Sequence, residues 1–275
     1  MDSPILVVGA RGGVGRHVVE QLVAAGRSVR ASVRDLGKAD LPDGVEVVVA
    51  DLTRPDSLKA AMDGVADVFV YAPTQGADGL VGAARSAGVE HVVLLSSGSV
   101  LLPDVVGNAI AEEHRAVEET LAASGLRWTP VRPLVLASNA LNWAKSIKGR
   151  GVVRLVRPAA ATAPVHERDI AAVAVVALLG GHERVSDLLT GPHLLSQEQQ
   201  VEVIGEALGT VVRIEELSEA QARSAFDGDR VEAILEFLRG AEAGRSPATG
   251  TAAAVLGRPP ATFAEWVADH LAEFR

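Results

Sequence analysis

The chain contains no cysteine, and only 3% of its 275 residues are aromatic, among them a single tyrosine. The absence of cysteine excludes disulfides, thiolate metal sites and cysteine nucleophiles, and it is typical of a cytoplasmic protein. We predict no metal site. Basic charge is also scarce, because the formal net charge is −9. This balance disfavours a nucleic-acid-binding surface, which would normally carry a basic stripe.

Long apolar runs are missing as well. The longest run, Ile170 to Leu179, is too short to span a bilayer, and no charged segment precedes the first apolar run. We therefore expect neither membrane insertion nor export. Hydrophobic residues nevertheless make up 48% of the sequence, which is enough for a large core in one enlarged α/β domain or in a domain with a small lobe.

A glycine-rich turn near the N-terminus is the first informative motif. The apolar run from Ile5 to Val8 precedes it, an amphipathic segment follows it, and a second apolar run covers Ser28 to Val33. This order predicts a βαβ unit of two buried parallel strands and a helix. Glycines in the turn would let the chain reverse and would bring backbone N–H groups close to a pyrophosphate at the helix N-terminus. The glycines are Gly9, Gly12 and Gly15.

Arginine directly follows the second predicted strand. Arg34 lies 19 residues beyond Gly15, where a dinucleotide-binding fold places the group that meets the adenosine ribose. Its guanidinium can pair with the 2′-phosphate of NADP, and Arg11 in the glycine turn can reach the same phosphate. Asp35 would compete by favouring NAD, but two arginines outweigh one acid. The sequence therefore predicts NADP(H), unless both arginines are simply solvated surface residues.

Two further strand ends are predicted to lie at the same edge of the sheet. The runs Val45 to Ala50 and Val65 to Tyr71 are expected to form the third and fourth strands. Ligands of open α/β sheets bind beyond the carboxyl ends of the strands. Asp51 is thus a candidate partner of the adenine amine, and Ala72 and Pro73 would flank the adenosine. Asp51 is equally well interpreted as a helix N-cap.

These features resemble the NmrA-like group of atypical short-chain dehydrogenase/reductases, and in particular its NADPH-quinone oxidoreductases. The resemblance also includes the strand ending in LLSS and the run EEHRAVEETLAASGLRWTPVRP, and it covers about residues 4–215. It implies an α/β fold with a Rossmann-type doubly wound parallel sheet and a small C-terminal α/β substrate lobe. We expect residues 1–135 to form the NADP-binding domain and residues 136–275 to form the lobe, interleaved with the core sheet.

One departure from the family pattern bears on the chemistry. The superfamily uses a Tyr-x-x-x-Lys pair, but when Glu118 is matched to the family glutamate, His114 replaces the lysine and Ile110 the tyrosine. Reduction of a ketone creates a basic alkoxide and needs a positioned acid, whereas a hydroquinone anion is delocalised and weakly basic. The sequence therefore disfavours carbonyl reduction and sugar epimerisation, and it favours hydride transfer to a quinone or another conjugated aromatic acceptor.

The resemblance implies further residues around the nicotinamide. His114 would hold the nicotinamide ribose or protonate the acceptor, and Asn139 would lie near the nicotinamide amide. The substrate-facing serine is one of Ser96, Ser97 and Ser99, of which we prefer Ser97. Each residue also has a structural interpretation, as a helix-surface histidine, a polar helix residue or a serine that satisfies the backbone of a turn.

The predicted function is therefore that of an NADPH-dependent oxidoreductase in the cytoplasm, acting on a small apolar aromatic molecule. No nucleic-acid or membrane partner is expected, while an oligomeric assembly and a place in a biosynthetic pathway stay open. The alternative is a non-catalytic NADP-binding redox sensor or regulator, because the family also contains such proteins. A turnover assay would distinguish the two.

Overall fold

The computed structural model describes residues 3–38, 41–73, 77–103, 108–181, 183–225 and 230–275. The chain forms two compact units, each assembled from three segments. The first unit comprises Met1–Val100, Ala111–Arg132 and Glu167–Asp187. The second comprises Leu101–Ile110, Pro133–His166 and Leu188–Arg275. The predicted boundary at residue 135, with a lobe interleaved with the core sheet, stays a prediction, and each unit contains segments from both sides of that residue.

A parallel β-sheet forms the centre of the first unit. Its strands are β1 (Ile5–Val7), β2 (Val29–Val33), β3 (Glu46–Val49), β4 (Asp67–Tyr71), β5 (His91–Leu95) and β6 (Arg127–Pro133). They lie in the order β3-β2-β1-β4-β5-β6, and all neighbouring pairs are parallel. This order reverses between β1 and β4, as in a Rossmann-type doubly wound sheet. The predicted fold class is confirmed.

Helices pack on this sheet. They are α1 (Gly13–Ala24), α2 (Pro55–Ala61), α3 (Ala77–Ala87), α4 (Ala109–Ala123) and α6 (Glu167–Leu178), and α1 packs against α6. A strand that is covered on both faces has a continuous run of apolar residues in its sequence. Accordingly, Ile5, Leu6 and Val7 of β1 are all buried. The strong apolar run in the sequence therefore marks the middle of the sheet.

The second unit has shorter strands and more helices. Its strands are β7 (Val152–Val156), β8 (Ala161–Thr162), β9 (Leu188–Leu189), β10 (Leu195–Ser196) and β11 (Arg213–Leu217). Its helices are α5 (Ala144–Arg150), α7 (Gln197–Leu208), α8 (Glu219–Ala225), α9 (Val231–Glu242), α10 (Thr251–Leu256) and α11 (Phe263–Asp269). β7 and β11 are parallel, and β8 and β10 are antiparallel. Trp266 and Phe274 are among the large side chains of its core.

Short 3₁₀ helices also belong to the second unit. Asn139 lies in Ala137–Trp143, which is followed by α5, and Leu271–Phe274 follows α11. α9 ends at Glu242, and Gly244, two residues beyond it, adopts a φ of 74°. Within the described ranges, no helix is long and apolar enough to cross a bilayer.

Candidate functional site

A cavity of about 810 Å³ lies in the first unit, where the carboxyl ends of β1, β2, β3 and β4 meet. This is the point at which the strand order reverses, and open α/β sheets bind their ligands there. The cavity is lined by seven residues that the sequence had placed around a dinucleotide. They are Gly9, Arg11, Gly12, Arg34, Asp51, Ala72 and Pro73.

The glycine turn joins β1 to α1 at the wall of this cavity. Gly9 has a φ of 73°, a left-handed conformation that favours glycine, and its carbonyl oxygen accepts the Gly12 N–H at 2.9 Å. A Cβ atom on Gly15 would lie 2.4 Å from the same oxygen, so only glycine lets α1 pack this closely. Gly15 therefore allows α1 to pack closely on the turn, and it does not itself line the cavity.

Tyr71, at the carboxyl end of β4, also fits against the turn. A Cβ atom on Gly9 would lie 2.8 Å from the Tyr71 ring, and one on Gly12 would lie 2.5 Å from the Tyr71 hydroxyl. The hydroxyl oxygen accepts the Gly15 N–H at 2.9 Å. The glycines thus make room for a ring as well as for a ligand. Sequence reasoning missed this role, although a lone tyrosine at a strand end was an available signal.

Two arginines bring positive charge to the cavity. Arg11 and Arg34 are exposed, and neither forms an ion pair within the described part of the chain. The competing acid, Asp35, accepts the Gly37 N–H at 3.0 Å through its Oδ1 atom. An anionic ligand in this cavity would therefore meet two guanidinium groups, each able to form charge-assisted hydrogen bonds.

Asp51 shapes the opposite wall and is not a helix cap. Its Oδ1 atom accepts the Thr53 N–H at 2.9 Å and the Thr53 hydroxyl at 2.8 Å. These hydrogen bonds, the backbone one first, lower the pKa of Asp51 and keep its carboxylate ionised. Helix α2 instead has Arg54 at its N-cap position. The N-cap interpretation is therefore wrong, and Asp51 presents an ionised acceptor in the cavity wall.

Neither Ser97 nor His114 lines the cavity. The Ser97 hydroxyl pairs with the Ser99 hydroxyl at 2.8 Å and accepts the Ser99 N–H at 3.2 Å, as a serine does in a turn. His114 is half-buried on α4. Asn139 lies in the second unit and is exposed. Their roles at the nicotinamide stay predictions.

Glu118, the residue used to place His114 in the family pattern, is buried and fully engaged. Arg132 forms a bidentate ion pair with its carboxylate, in which Nε donates to Oε1 at 2.9 Å and Nη2 donates to Oε2 at 2.6 Å. The Ser96 hydroxyl donates to Oε1 at 2.6 Å. This arrangement ties α4 to the ends of β5 and β6. It gives Ser96 a structural role, and a role for Ser97 at the substrate stays a prediction.

The groups around the cavity fit an adenine dinucleotide phosphate. The start of α1 supplies the positive end of a helix dipole for a pyrophosphate, and the arginines supply cations for a phosphate on the ribose. Asp51 supplies an acceptor, and Val8, Val33 and Ala50 supply apolar surface. The volume is also within the range of small-molecule and cofactor sites.

Comparison with known proteins agrees with this geometry. Residues 9–180 match a family model described as NAD(P)H-binding, and the chain belongs to this family. It is 38% identical to the (4-alkanoyl-5-oxo-2,5-dihydrofuran-3-yl)methyl phosphate reductase of Streptomyces griseus, over 98% of this chain and 99% of that protein. It is 35% identical to an NAD(P)H azoreductase of Xenophilus azovorans, again over 98% of this chain and 99% of the relative.

A solved structure supports the same conclusion. An NADPH-dependent quinone oxidoreductase of Escherichia coli, crystallised with NADPH, superposes with a TM-score of 0.79 at 25% identity, covering 96% of this chain and 99% of the other. The protein is therefore an NAD(P)H-dependent oxidoreductase with a Rossmann-type fold. The predicted NmrA-like resemblance and the nicotinamide cofactor are both confirmed.

Proposed function

We propose that the protein transfers hydride from NADPH to a quinone or another conjugated, electron-poor acceptor. The observation that carries the proposal is the pair of exposed arginines at the strand-end cavity, in a chain that has His114 and Ile110 where related enzymes have Lys and Tyr. The relatives are named for reducing a dihydrofuranone, azo compounds and quinones, which are all conjugated. Their names support the acceptor class.

We assign each cavity residue to one part of the adenosine half of the cofactor. Arg34 and Arg11 pair with the 2′-phosphate, Asp51 accepts from the adenine amine, and Ala72 and Pro73 flank the adenosine. The glycine turn approaches the pyrophosphate through its backbone. When bound, NADPH would supply the hydride, and His114 and Asn139 would hold its nicotinamide ribose and amide.

A conjugated acceptor explains how the reaction proceeds without the tyrosine. The acceptor gains a hydride at an electron-poor atom, its π electrons shift to an oxygen or nitrogen, and one proton completes the reduction. Because the resulting anion is delocalised, water, Ser97 or His114 can supply that proton with little acid assistance. A simple ketone would produce a localised alkoxide and gain much less from this site.

A turnover assay with a panel of acceptors tests the proposal. NADPH oxidation is followed by absorbance with a naphthoquinone, an azo dye, an unsaturated lactone and cyclohexanone. We expect turnover of one or more conjugated acceptors and none of cyclohexanone. Tight NADPH binding without turnover of any acceptor would instead support the redox sensor, and equal rates with cyclohexanone would contradict the chemical argument.

Apolarity of the substrate, oligomer formation and a cytoplasmic location remain predictions from the sequence. A charged quinone, added to the substrate panel beside a neutral quinone of similar potential, tests the first. We expect the neutral compound to have the lower KM.

A further inference from the structure

The N-terminus of helix α1 is capped by a side chain from strand β4. The first N–H groups of a helix lack partners within the helix, and a side chain at the N-cap position usually satisfies one of them. Gly12 occupies the N-cap position of α1 and has no side chain. Tyr71 of β4 takes its place, because its hydroxyl oxygen accepts the N–H group of Gly15 at 2.9 Å.

This arrangement leaves the proton of the hydroxyl to be donated elsewhere. A tyrosine hydroxyl has one donor and two acceptor lone pairs, and the Gly15 N–H of α1 uses the acceptor side. No group among the described residues accepts the Tyr71 proton. Tyr71 also lines the strand-end cavity, and Gly9 and Gly12 contact its ring closely, so the hydroxyl has little freedom to move.

We propose that Tyr71 donates its hydroxyl hydrogen bond to the pyrophosphate of the bound dinucleotide. The hydroxyl would thereby relay the positive end of α1 to the anion, since N–H groups that donate to its oxygen polarise its O–H bond. A pyrophosphate oxygen is the anionic acceptor expected at a helix N-terminus. The inference depends on nucleotide binding and not on the identity of the hydride acceptor.

Tyr71→Phe tests the proposal, because it removes the hydroxyl and keeps the ring. Calorimetric titrations use NADPH, NADH and adenosine 2′-monophosphate, which carries the 2′-phosphate but no pyrophosphate. We expect both dinucleotides to bind at least about tenfold more weakly, by equal factors, because a hydrogen bond to a charged group is lost. Binding of adenosine 2′-monophosphate should not change. Unchanged affinity for both dinucleotides would overturn the proposal.

Arg34→Ala serves as the mirror-image control. Loss of the Arg34 side chain should weaken the binding of NADPH and of adenosine 2′-monophosphate and leave the binding of NADH unchanged, since we place this arginine at the 2′-phosphate. The two variants therefore separate the pyrophosphate from the ribose phosphate. If Tyr71→Phe produced the Arg34→Ala pattern, Tyr71 would not contact the pyrophosphate.

The unmodified chain provides a second readout that does not depend on folding of a variant. Because the protein has a single tyrosine, labelling with tyrosine carrying ¹³C at Cζ gives one assignable resonance. We expect this resonance to shift on addition of NADP or NAD and to stay in place with adenosine 2′-monophosphate. A resonance unmoved by both dinucleotides would overturn the proposal, even if Tyr71→Phe binds weakly, because the variant would then act only by loosening the turn.

Discussion

The arginines beside the strand-end cavity differ from those around Glu219 in the partners that they have. At the strand-end cavity of the first unit, Arg11 and Arg34 are exposed and form no ion pair with any described residue. In the second unit, Arg239 and Arg157 both bind Glu219, with Arg239 Nε at 2.9 Å and Arg157 Nη2 at 2.8 Å from its Oε1 atom. Paired guanidinium groups stabilise a fold, whereas unpaired ones beside a cavity are available to a ligand.

The glycine turn should give the largest effect when it is changed. In Gly12→Val, the Cβ atom alone would lie 2.5 Å from the Tyr71 hydroxyl and 3.2 Å from the Gly9 oxygen, and the rest of the side chain would enter the cavity. We expect loss of detectable NADPH binding, together with a destabilisation of about 1–3 kcal/mol from overpacking. Fluorescence titration and a melting curve measure the two effects separately.

Gly13→Ala is the matched control for the turn, because a Cβ atom at Gly13 meets nothing within 4 Å. It should melt within a few degrees of the unmodified protein and retain nucleotide binding. A folded Gly12→Val variant that binds NADPH normally would show that the cavity at this turn is not the nucleotide site.

Removing one of the unpaired arginines should have the next largest effect. Hydrogen bonds to charged groups contribute about 1.5–3 kcal/mol, so Arg34→Ala should lower the affinity for NADPH roughly ten- to a hundredfold and leave the affinity for NADH nearly unchanged. Arg85→Ala, an exposed arginine at the end of α3 outside the cavity, is the control and should change neither affinity. Equal losses of affinity for NADPH and NADH would show that Arg34 does not contact the 2′-phosphate.

His114→Ala should have a more moderate effect, on catalysis. If His114 holds the nicotinamide ribose, the variant should show a higher apparent constant for NADPH and a few-fold lower turnover number. If it also donates the proton, the variant should in addition lose a dependence of turnover on pH that the unmodified protein shows.

A steady-state pH profile of both proteins separates these outcomes. His193→Ala, an exposed histidine of the second unit, controls for loss of a surface imidazole. Identical rates and nucleotide constants at every pH would place His114 outside the site.

The ion pairs of the second unit should have the smallest effect. Arg239, and then Arg157, lower the pKa of Glu219 from 4.5 to about 2. Because the pKa is lower in the folded state, these pairs stabilise the protein fully above pH 4.5 and lose their contribution as the pH falls towards 2. Glu219→Gln should therefore lower Tm by no more than a few degrees at pH 7, and the difference should vanish in acid.

Glu215→Gln is the corresponding control, since Glu215 is exposed and lies 3.5 Å from Arg154 in a single ion pair. It should leave Tm unchanged at any pH. A Glu219→Gln variant with altered NADPH affinity would break the contrast between structural and ligand-binding arginines.

The sequence predicted the first unit well because its signals are contiguous. The apolar run, the glycines and the arginine that follows the second strand all lie within the first 34 residues, and each has a local physical meaning. The strand ends at Asp51 and Ala72 then follow from the rule that parallel strands present their carboxyl ends at one edge. Seven predicted residues consequently meet around one cavity.

The features that escaped prediction depend on residues far apart in the chain. Tyr71 contacts a glycine 56 positions away, so its relation to the turn is visible only after folding. Glu219 likewise binds arginines at distant positions, Arg157 and Arg239. Asp51 is a local exception, because its sequence neighbourhood allows two interpretations and only the shape of the turn brings the Thr53 N–H to its carboxylate.

Affinity of the unmodified protein for the two nucleotides tests the central claim most directly. Calorimetric titrations with NADPH and NADH are carried out at the same pH and ionic strength, because screening weakens interactions of exposed charges. We predict that NADPH binds at least about tenfold more tightly, since the unpaired arginines meet its 2′-phosphate. Equal affinities for NADPH and NADH would contradict the assignment of this cavity as a site selective for the ribose phosphate.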